Sequence, residues 1–376
     1  MLPEGWRKEK LGAVAEFQRG FDLPQSQRSE GSVPIISSSG ASGFHDTAKA
    51  LAPGIVTGRY GSIGDVFYVE EAYWPLNTAL WVKDFHGNYP KYLYYLLSNF
   101  DFSKFSDKTG VPGVNRNDLH AVNVLVPPLP EQKKIAAILS TWDRAIEGTE
   151  KLLANSQQQK KALMQQLLTG KKRLPGFTGE WRNTSLYEIC TLNPKSPKIE
   201  ELTQISFIPM DGVSNDARIS DVTTRAFKKE NNGFSYFQKK DVLVAKITPC
   251  FENGKGGYLN ALPTQHGFGS TEFHVLRATA DADGKFIYYI TTSERFRILG
   301  EMNMQGSAGQ KRVPKDFIER FSVNLPPLPE QKAIAAVLTT ADEEITAIES
   351  DLLRLRQEKK ALMQQLLTGK RRVTVD

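Results

Sequence analysis

Apolar residues recur at alternating spacings of four and three along two long proline-free segments of the chain. The first segment extends from Glu131 to Thr169 and contains a single glycine, Gly148, and the second begins 199 residues later. An alternation that averages 3.5 residues is typical of a coiled-coil seam. The predicted seam residues are Ile135, Leu139, Trp142, Ile146, Leu153, Leu163, Leu167, Ile334, Leu338, Ile345, Ile348, Leu352, Leu355, Leu362 and Leu366.

Both segments carry the signals of helix ends. Pro130 and Pro329 stand just before each predicted helix, and Gly170 and Gly369 follow the helices as stop signals. About 39 residues at a rise of ~1.5 Å per residue give a helix roughly 58 Å long. The pattern predicts two long helices that pair antiparallel. The alternative is that each helix packs separately against its own domain.

The two helices belong to a duplicated unit. PPLPEQKKIAAIL at 127–139 recurs as PPLPEQKAIAAVL at 326–338, and KKALMQQLLTGK begins at both Lys160 and Lys359. Near the start of the chain the offset falls to 175 residues, between Trp6 and Trp181. The chain therefore alternates two globular segments with two copies of the helix, and the second globular segment carries about 24 additional residues.

The globular segments carry signals of both strand and helix. Apolar runs around glycine-rich turns at 53–70 and 241–260 predict hairpins, and 91–100 and 285–299 predict helices. The predicted fold class is α+β, with two mixed α/β domains separated by two long antiparallel coiled-coil helices in a pseudo-two-fold internal repeat. The predicted domains are a first globular domain at 1–128, a first spacer helix at 129–170, a second globular domain at 171–327 and a second spacer helix at 328–376.

Composition and charge narrow the class of protein. Hydrophobic residues make up 40% of the 376 positions, and no apolar run approaches the ~18 residues of a membrane span. The first ten residues have no apolar core like that of a secretory signal, so we expect a cytoplasmic protein. The net charge of +6 is compatible with a polyanionic partner. Cys190 and Cys250 have no paired spacing and predict neither a disulfide framework nor a zinc site.

Catalytic motifs do not emerge from the sequence. The Gly-Lys pairs at Gly170, Gly254 and Gly369 lack the remaining residues of a phosphate-binding loop. The five histidines show no metal-ligand spacing. We therefore predict no catalytic residue and no metal ligand. A nuclease site made of carboxylates and a lysine has no fixed spacing in the sequence, so the absence of a motif does not exclude one.

Basic glycine-containing loops lie at matching places in both globular segments. Glycine lets the backbone approach a ligand closely, and Arg, Lys, Asn and Gln donors suit phosphates and base edges. We expect Lys311 and Arg312 to contact phosphates. The predicted DNA-binding residues are Arg59, Tyr60, Ser62, Lys108, Thr109, Asn115, Arg116, Lys246, Thr248, Asn253, Lys255, Gln310, Lys311 and Arg312.

The chain resembles the DNA-specificity subunit of type I restriction–modification systems. The repeated PLPEQK phrases and the two copies of ALMQQLLTGK, at 162–171 and 361–370, carry the resemblance most specifically. Further motifs that resemble the family are LPEGW at 2–6, YWPLNTALWV at 73–82, LPGFTGEW at 174–181, KITPCFENGK at 246–255 and GSTEFHVLR at 269–277.

The resemblance implies a role for each part. Each globular segment would recognise one half of a split double-stranded DNA site, and the helices would dock two methyltransferase subunits that recruit motor–nuclease subunits. The chain would be non-catalytic and would bind no cofactor, with S-adenosylmethionine, ATP and Mg on the partner subunits. The implied docking residues are Pro128, Leu129, Pro130, Glu131, Gln132, Pro327, Leu328, Pro329, Glu330 and Gln331.

Two alternatives from other classes stay open. The chain could be a DNA nuclease or modification enzyme with an unrecognised active site, which catalysis by the isolated chain would indicate. It could also be a scaffold whose globular ends bind protein. Failure to retard DNA even with a methyltransferase present would indicate the scaffold.

Overall fold

The computed structural model describes residues 3–105, 113–307 and 309–374. Its contacts divide the chain into two compact units. The first unit comprises Met1–Lys151 together with Glu349–Asp376, and the second comprises Leu152–Ile348. Each long helix therefore contributes residues to both units, and the C-terminal segment of the chain folds with the N-terminal one.

The first unit combines short strands with helices. Short 3-10 turns occur in it at Leu11–Ala13, Gln25–Gln27 and Phe102–Phe105. Its strands and helices, in chain order, are β1 Arg7–Lys10, β2 Glu16–Arg19, β3 Val33–Ser37, β4 Gly40–His45, β5 Gly54–Gly58, β6 Val66–Val69, β7 Trp74–Pro75, β8 Ala79–Asp84, α1 Pro90–Ser98, α2 Arg116–His120, β9 Asn123–Val126 and α3 Leu129–Leu167, the last of which continues into the second unit.

A buried central strand organises the first unit. One sheet has the strand order β2-β8-β5-β6, a second has the order β4-β3-β7, and β1 pairs with β9. Every residue of β5 is buried, as its run of apolar and small residues predicts. β5 and β6 form the predicted hairpin, with Val56 opposite Phe67. Strand β9, which pairs with β1, ends at Val126, three residues before α3 begins at Leu129.

The second unit is built in the same order. Its 3-10 turns are Met210–Gly212 and Lys229–Gly233. Its strands and helices are β10 Arg182–Ser185, α4 Leu186–Ile189, β11 Cys190–Leu192, β12 Gln204–Ile208, β13 Thr223–Ala226, β14 Ser235–Phe237, β15 Val242–Ala245, β16 Gly256–Tyr258, β17 Gly267–Gly269, β18 Phe273–Ala278, α5 Gly284–Thr292, α6 Glu294–Met302, α7 Lys315–Arg320, β19 Ser322–Leu325 and α8 Leu328–Leu366.

The sheets of the second unit repeat those of the first. The order β11-β18-β15-β16 matches β2-β8-β5-β6, and β10 pairs with β19 just as β1 pairs with β9. β15 is fully buried and forms the predicted hairpin with β16. The other sheet is larger, with the order β13-β12-β17-β14. The predicted mixed α/β class is confirmed in both units.

The helix predicted at 285–299 is in fact two helices. Ser293 has an extended backbone conformation, with φ −66° and ψ 145°, and separates α5 from α6. Its hydroxyl oxygen accepts a hydrogen bond from the Phe296 N–H at 3.3 Å and so caps α6. The apolar pattern conceals the break because Ile290 and Phe296, on either side of it, belong to the same core.

Within each unit the two long helices run antiparallel. In the first unit, Asp143 of α3 pairs with Lys359 of α8. In the second, Lys160 of α3 pairs with Asp342 of α8. All predicted seam residues are buried or half-buried. Both helices begin one residue before Pro130 or Pro329, so each proline lies inside the first turn, where its missing N–H costs no hydrogen bond.

The helix ends also belong to the cores of the globular units. Ile135 and Leu139 of α3 and Leu366 of α8 pack in the first core with Trp6 and Tyr92. In the second core the corresponding residues are Leu167, Ile334 and Leu338. The helices therefore both pair with each other and pack against the sheets, so the predicted alternative of separate packing describes part of the arrangement.

Candidate nucleic-acid interface

In the first unit, two loops meet where the central strand β5 ends. The Val114 N–H donates to the Arg59 carbonyl at 2.9 Å, and Tyr60 forms a β-bridge with Gly113. Glycine is needed at this junction, because a Cβ on Gly113 would lie 2.7 Å from a carbon of the Tyr60 ring. The fold thus brings the loop at 59–62 next to the loop that precedes α2.

Arg59 and Tyr60 form a cation–aromatic pair on the surface of this junction. The guanidinium carbon lies 4.4 Å from the centroid of the Tyr60 ring, and Nη2 lies 3.3 Å from its hydroxyl. Nη1 lies 3.4 Å from the Asn77 carbonyl oxygen. No carboxylate within the described residues pairs with Arg59. The pair therefore offers a positive charge and an aromatic residue, Tyr60, that is 44% exposed.

The other predicted residues of the first unit differ in their surroundings. Ser62 and Arg116 are exposed. Asn115 is exposed too, but its side chain caps α2 by accepting the Asn117 N–H at 2.9 Å, which gives it a structural role. Lys108 and Thr109 lie outside the described residues.

The second unit repeats the junction at the end of β15. The Val313 N–H donates to the Lys246 carbonyl at 2.8 Å, as Val114 does to Arg59. Thr248 donates its N–H to the Lys311 carbonyl at 2.9 Å, and Ile247 bridges Arg312. The loop after the central strand and the loop before the following helix meet in both units, although their side chains differ.

Several predicted residues of this second junction bind their own chain. Thr248 donates its hydroxyl to Glu252 at 2.8 Å. Lys255 Nζ lies 3.3 Å from the Met210 carbonyl oxygen, and its side chain is largely buried. Lys246 is half-buried, whereas Asn253, Gln310 and Lys311 are exposed.

Arg312 is the most constrained of the predicted basic residues. Its Nε and Nη2 donate to the two carboxylate oxygens of Glu272 at 2.9 and 2.8 Å. The bidentate pair lowers the pKa of Glu272 below its usual range. Because the pair is close to neutral, the expectation that Arg312 contacts phosphate as a free cation needs revision. Nothing in the local sequence marks Glu272 as the partner, since 40 residues separate the two.

The buried side chain of His274 contacts the same junction at Val313. Its Nε2 lies 2.9 Å from the Val313 carbonyl oxygen, and its Nδ1 lies 3.3 Å from the Asn193 amide nitrogen. Burial lowers the pKa of His274, so the ring is neutral at pH 7 and donates from Nε2. No metal-ligand spacing was found for this histidine in the sequence, and in the structure it holds the loop through Val313.

The glutamates of the repeated PEQ phrase lie inside the protein. Glu131 accepts hydrogen bonds from Trp6 Nε1 and from Arg372 Nε, both at 3.0 Å. In the second unit Glu330 accepts from Trp181 Nε1 and Arg173 Nε, again at 3.0 Å. The duplicated chain therefore contains the same clamp twice, each time between the start of one long helix and the segment that follows the end of the other.

The glutamines of the phrase are buried as well. Gln132 accepts the Tyr89 N–H at 2.8 Å and donates to the Pro127 carbonyl at 3.0 Å. Gln331 makes the equivalent bonds to the Asp283 N–H and the Pro326 carbonyl. Of the residues assigned to docking, the buried Glu and Gln side chains bind their own unit. Those exposed or half-exposed at the surface are Pro128, Leu129, Pro130, Pro327, Leu328 and Pro329.

One surface group could resemble a cation site. Among the described residues, one ligand atom each from Glu16, Asp84 and His86 lies within 4.8 Å of the others. Glu16 already pairs with Lys83 at 3.5 Å, and the group is half to fully exposed. We regard it as a surface ion-pair cluster.

No helix in the described part of the chain combines the length and apolarity that crossing a membrane requires.

Comparison with known proteins places these features in a family. The family described as "Type I restriction modification DNA specificity domain" matches residues 3–155 and 178–355. The chain belongs to this family, as the repeated motifs predicted.

Three relatives illustrate the similarity. The chain is 39% identical over 156 residues to the type I restriction enzyme EcoAI specificity subunit of Escherichia coli, but the match spans 41% of this chain and only 26% of that protein. It is 25% identical over 299 residues to the MjaVIII specificity subunit of Methanocaldococcus jannaschii, covering 75% of this chain and 70% of that one. The crystal structure of the type I S subunit from M. genitalium has a TM-score of 0.63 at 14% identity, covering 96% of each chain, and therefore shares the fold.

Proposed function

We propose that the chain is the DNA-specificity subunit of a type I restriction–modification complex and that each unit recognises one half of a split double-stranded DNA site. The observation that carries the proposal is the loop junction that recurs at the end of β5 and β15 with different side chains. Conserved backbone geometry with variable Arg, Lys, Tyr and Gln side chains suits two modules of one design that recognise different sequences. The net charge of +6 favours a polyanionic partner.

The repeated helix start would present a docking surface for a methyltransferase subunit twice. Internal packing accounts for the repetition of Glu131 and Gln132, because both are buried. It does not account for the exposed Pro-Leu-Pro, in which Leu129 is 41% exposed. The Pro-Leu-Pro phrase is present in both copies, and its leucine is exposed in the first copy and half-buried in the second. A partly exposed apolar side chain between two prolines is a rigid contact suited to a partner protein. Motor–nuclease subunits would join through the methyltransferases.

In this proposal the chain is non-catalytic and binds no cofactor. S-adenosylmethionine, ATP and Mg would be bound by the partner subunits. The loop side chains described above are hydrogen-bond donors and ion pairs, and they suit recognition rather than bond cleavage.

A segment exchange tests the proposal. Residues 181–322 are replaced by the equivalent segment of a relative, both long helices are kept, and adenine methylation is mapped by single-molecule sequencing in cells that also carry the methyltransferase. One half of the methylated motif should change, while the other half persists. The complementary exchange of residues 6–122 is the matched control and should change the opposite half. If either exchange altered both halves, the units would not be independent recognition modules.

A further inference from the structure

Arg312 is held on both its backbone and its side chain. Its N–H and carbonyl both bond to Gln305, at 2.8 and 2.9 Å. The next residue, Val313, is buried and is bonded to Lys246 and His274. The guanidinium is fixed by Glu272, and its Nη1 lies 3.2 Å from the Gln310 carbonyl oxygen.

The pairing with Glu272 leaves a defined edge of the guanidinium available. An arginine has five N–H donors. Three of those of Arg312 have partners, two at Glu272 and one at Gln310. The other two have no acceptor in the described part of the chain, and the side chain is 44% exposed. One of these donors is on Nη1 and the other on Nη2. Two donors on the neighbouring nitrogens of one rigid plane suit the two acceptors, O6 and N7, of a guanine edge in the major groove.

The carboxylate of Glu272 makes a base a better contact for Arg312 than a phosphate. Glu272 offsets the charge of Arg312 and is itself 23% exposed, so a phosphate would meet a nearly neutral pair with an anion beside it. A guanine edge carries no net charge and meets no such repulsion. The neighbouring Lys311 is exposed and has no carboxylate partner among the described residues, so it suits a phosphate.

We propose that Glu272 is a positioning residue that holds Arg312 as a rigid fork for one guanine in the half-site of the second unit, while Lys311 supplies sequence-independent affinity. This inference rests on the proposed function and adds to it a specificity-determining pair. Glu272 acts through Arg312 and need not touch the DNA itself.

The experiment uses the full chain in complex with its methyltransferase. Methylation mapping first gives the motif. Binding is then measured by fluorescence anisotropy, at several salt concentrations, on the cognate duplex and on every single-base-pair variant of it. The variants are Arg312→Lys and Glu272→Gln, which are close in size to the native residues. Lys311→Ala is the matched control from the same loop.

Arg312→Lys and Glu272→Gln should both lose discrimination at the same G·C base pair, by roughly 5- to 150-fold, because a good bidentate contact supplies that much. Arg312→Lys keeps its charge, so the salt dependence should not change. Lys311→Ala should weaken binding to all duplexes equally and flatten the salt slope by about 0.9.

Two results would overturn the inference. The first is full discrimination at every position by Arg312→Lys. The second is a uniform gain of affinity by Glu272→Gln without loss of discrimination, which would mean that Glu272 only neutralises a free cation. A wild-type complex that methylates no motif and binds all duplexes equally would instead refute the proposed function itself.

Discussion

Replacing Trp6 by Phe should loosen a segment that lies more than 340 positions away in the sequence. The indole N–H of Trp6 donates to the buried Glu131 carboxylate at 3.0 Å, and the same carboxylate holds Arg372. Removing a hydrogen bond to a charged group costs about 1.5–3 kcal/mol, and the lost ring contacts of a residue only 4% exposed add to this cost. Because every ~1.4 kcal/mol is a factor of ten, amides that exchange by opening of the unit should exchange roughly 10- to 150-fold faster.

Hydrogen-exchange mass spectrometry measures this effect peptide by peptide. In Trp6→Phe, peptides from 3–105, 113–151 and 349–374 should exchange faster, while those from 152–348 keep the protection of the native chain, because the first set forms one compact unit. Trp181→Phe is the matched control and should show the opposite distribution, since Trp181 holds Glu330 in the second unit. Faster exchange confined to the first few residues, or equal in both units, would refute the assignment of Glu131 as a clamp that joins the two ends of the chain.

Further predictions address assembly, activity, loop geometry and pH. Native mass spectrometry of the chain with excess methyltransferase should give two methyltransferases per chain, and a limit of one would contradict the double docking surface. The highly purified chain should neither methylate nor cleave DNA; turnover that is lost on mutation of one of its own carboxylates would reveal a missed active site. Gly58→Ala should weaken recognition of the half-site of the first unit without affecting the other, measured by anisotropy on half-site variants, because a Cβ there would lie 1.8 Å from the Ser62 carbonyl oxygen. Burial lowers the pKa of His274 below 6.5, so the unfolded chain binds more protons there as the pH falls below 6.5. The exchange protection of the second unit should therefore decrease between pH 7.5 and 5.5, and His274→Gln should lose part of this pH dependence.

The sequence by itself determined the long helices and the repeat. Local spacing suffices for these features, because a seam residue such as Leu139 or Leu338 is recognised from its neighbours three and four positions away. The hairpins at the central strands and the helix at 91–100 were also predictable, since glycine turns and apolar runs are local signals. The break at Ser293 was not, because residues on both sides of it face one core and keep the apolar pattern continuous.

Only the tertiary structure decided which polar side chains are paired with other residues of the chain and which remain available to a partner. The repeated Glu and Gln of the PEQ phrase look like surface residues in the sequence, yet both copies are buried, because each finds partners that are more than 40 residues away. The loop residues behave in the same way: Lys311 and Arg312 are adjacent and both cationic, but Glu272 pairs with only Arg312. Pairing of side chains across such distances depends on how strands and helices meet in space, and no local pattern of residues records it.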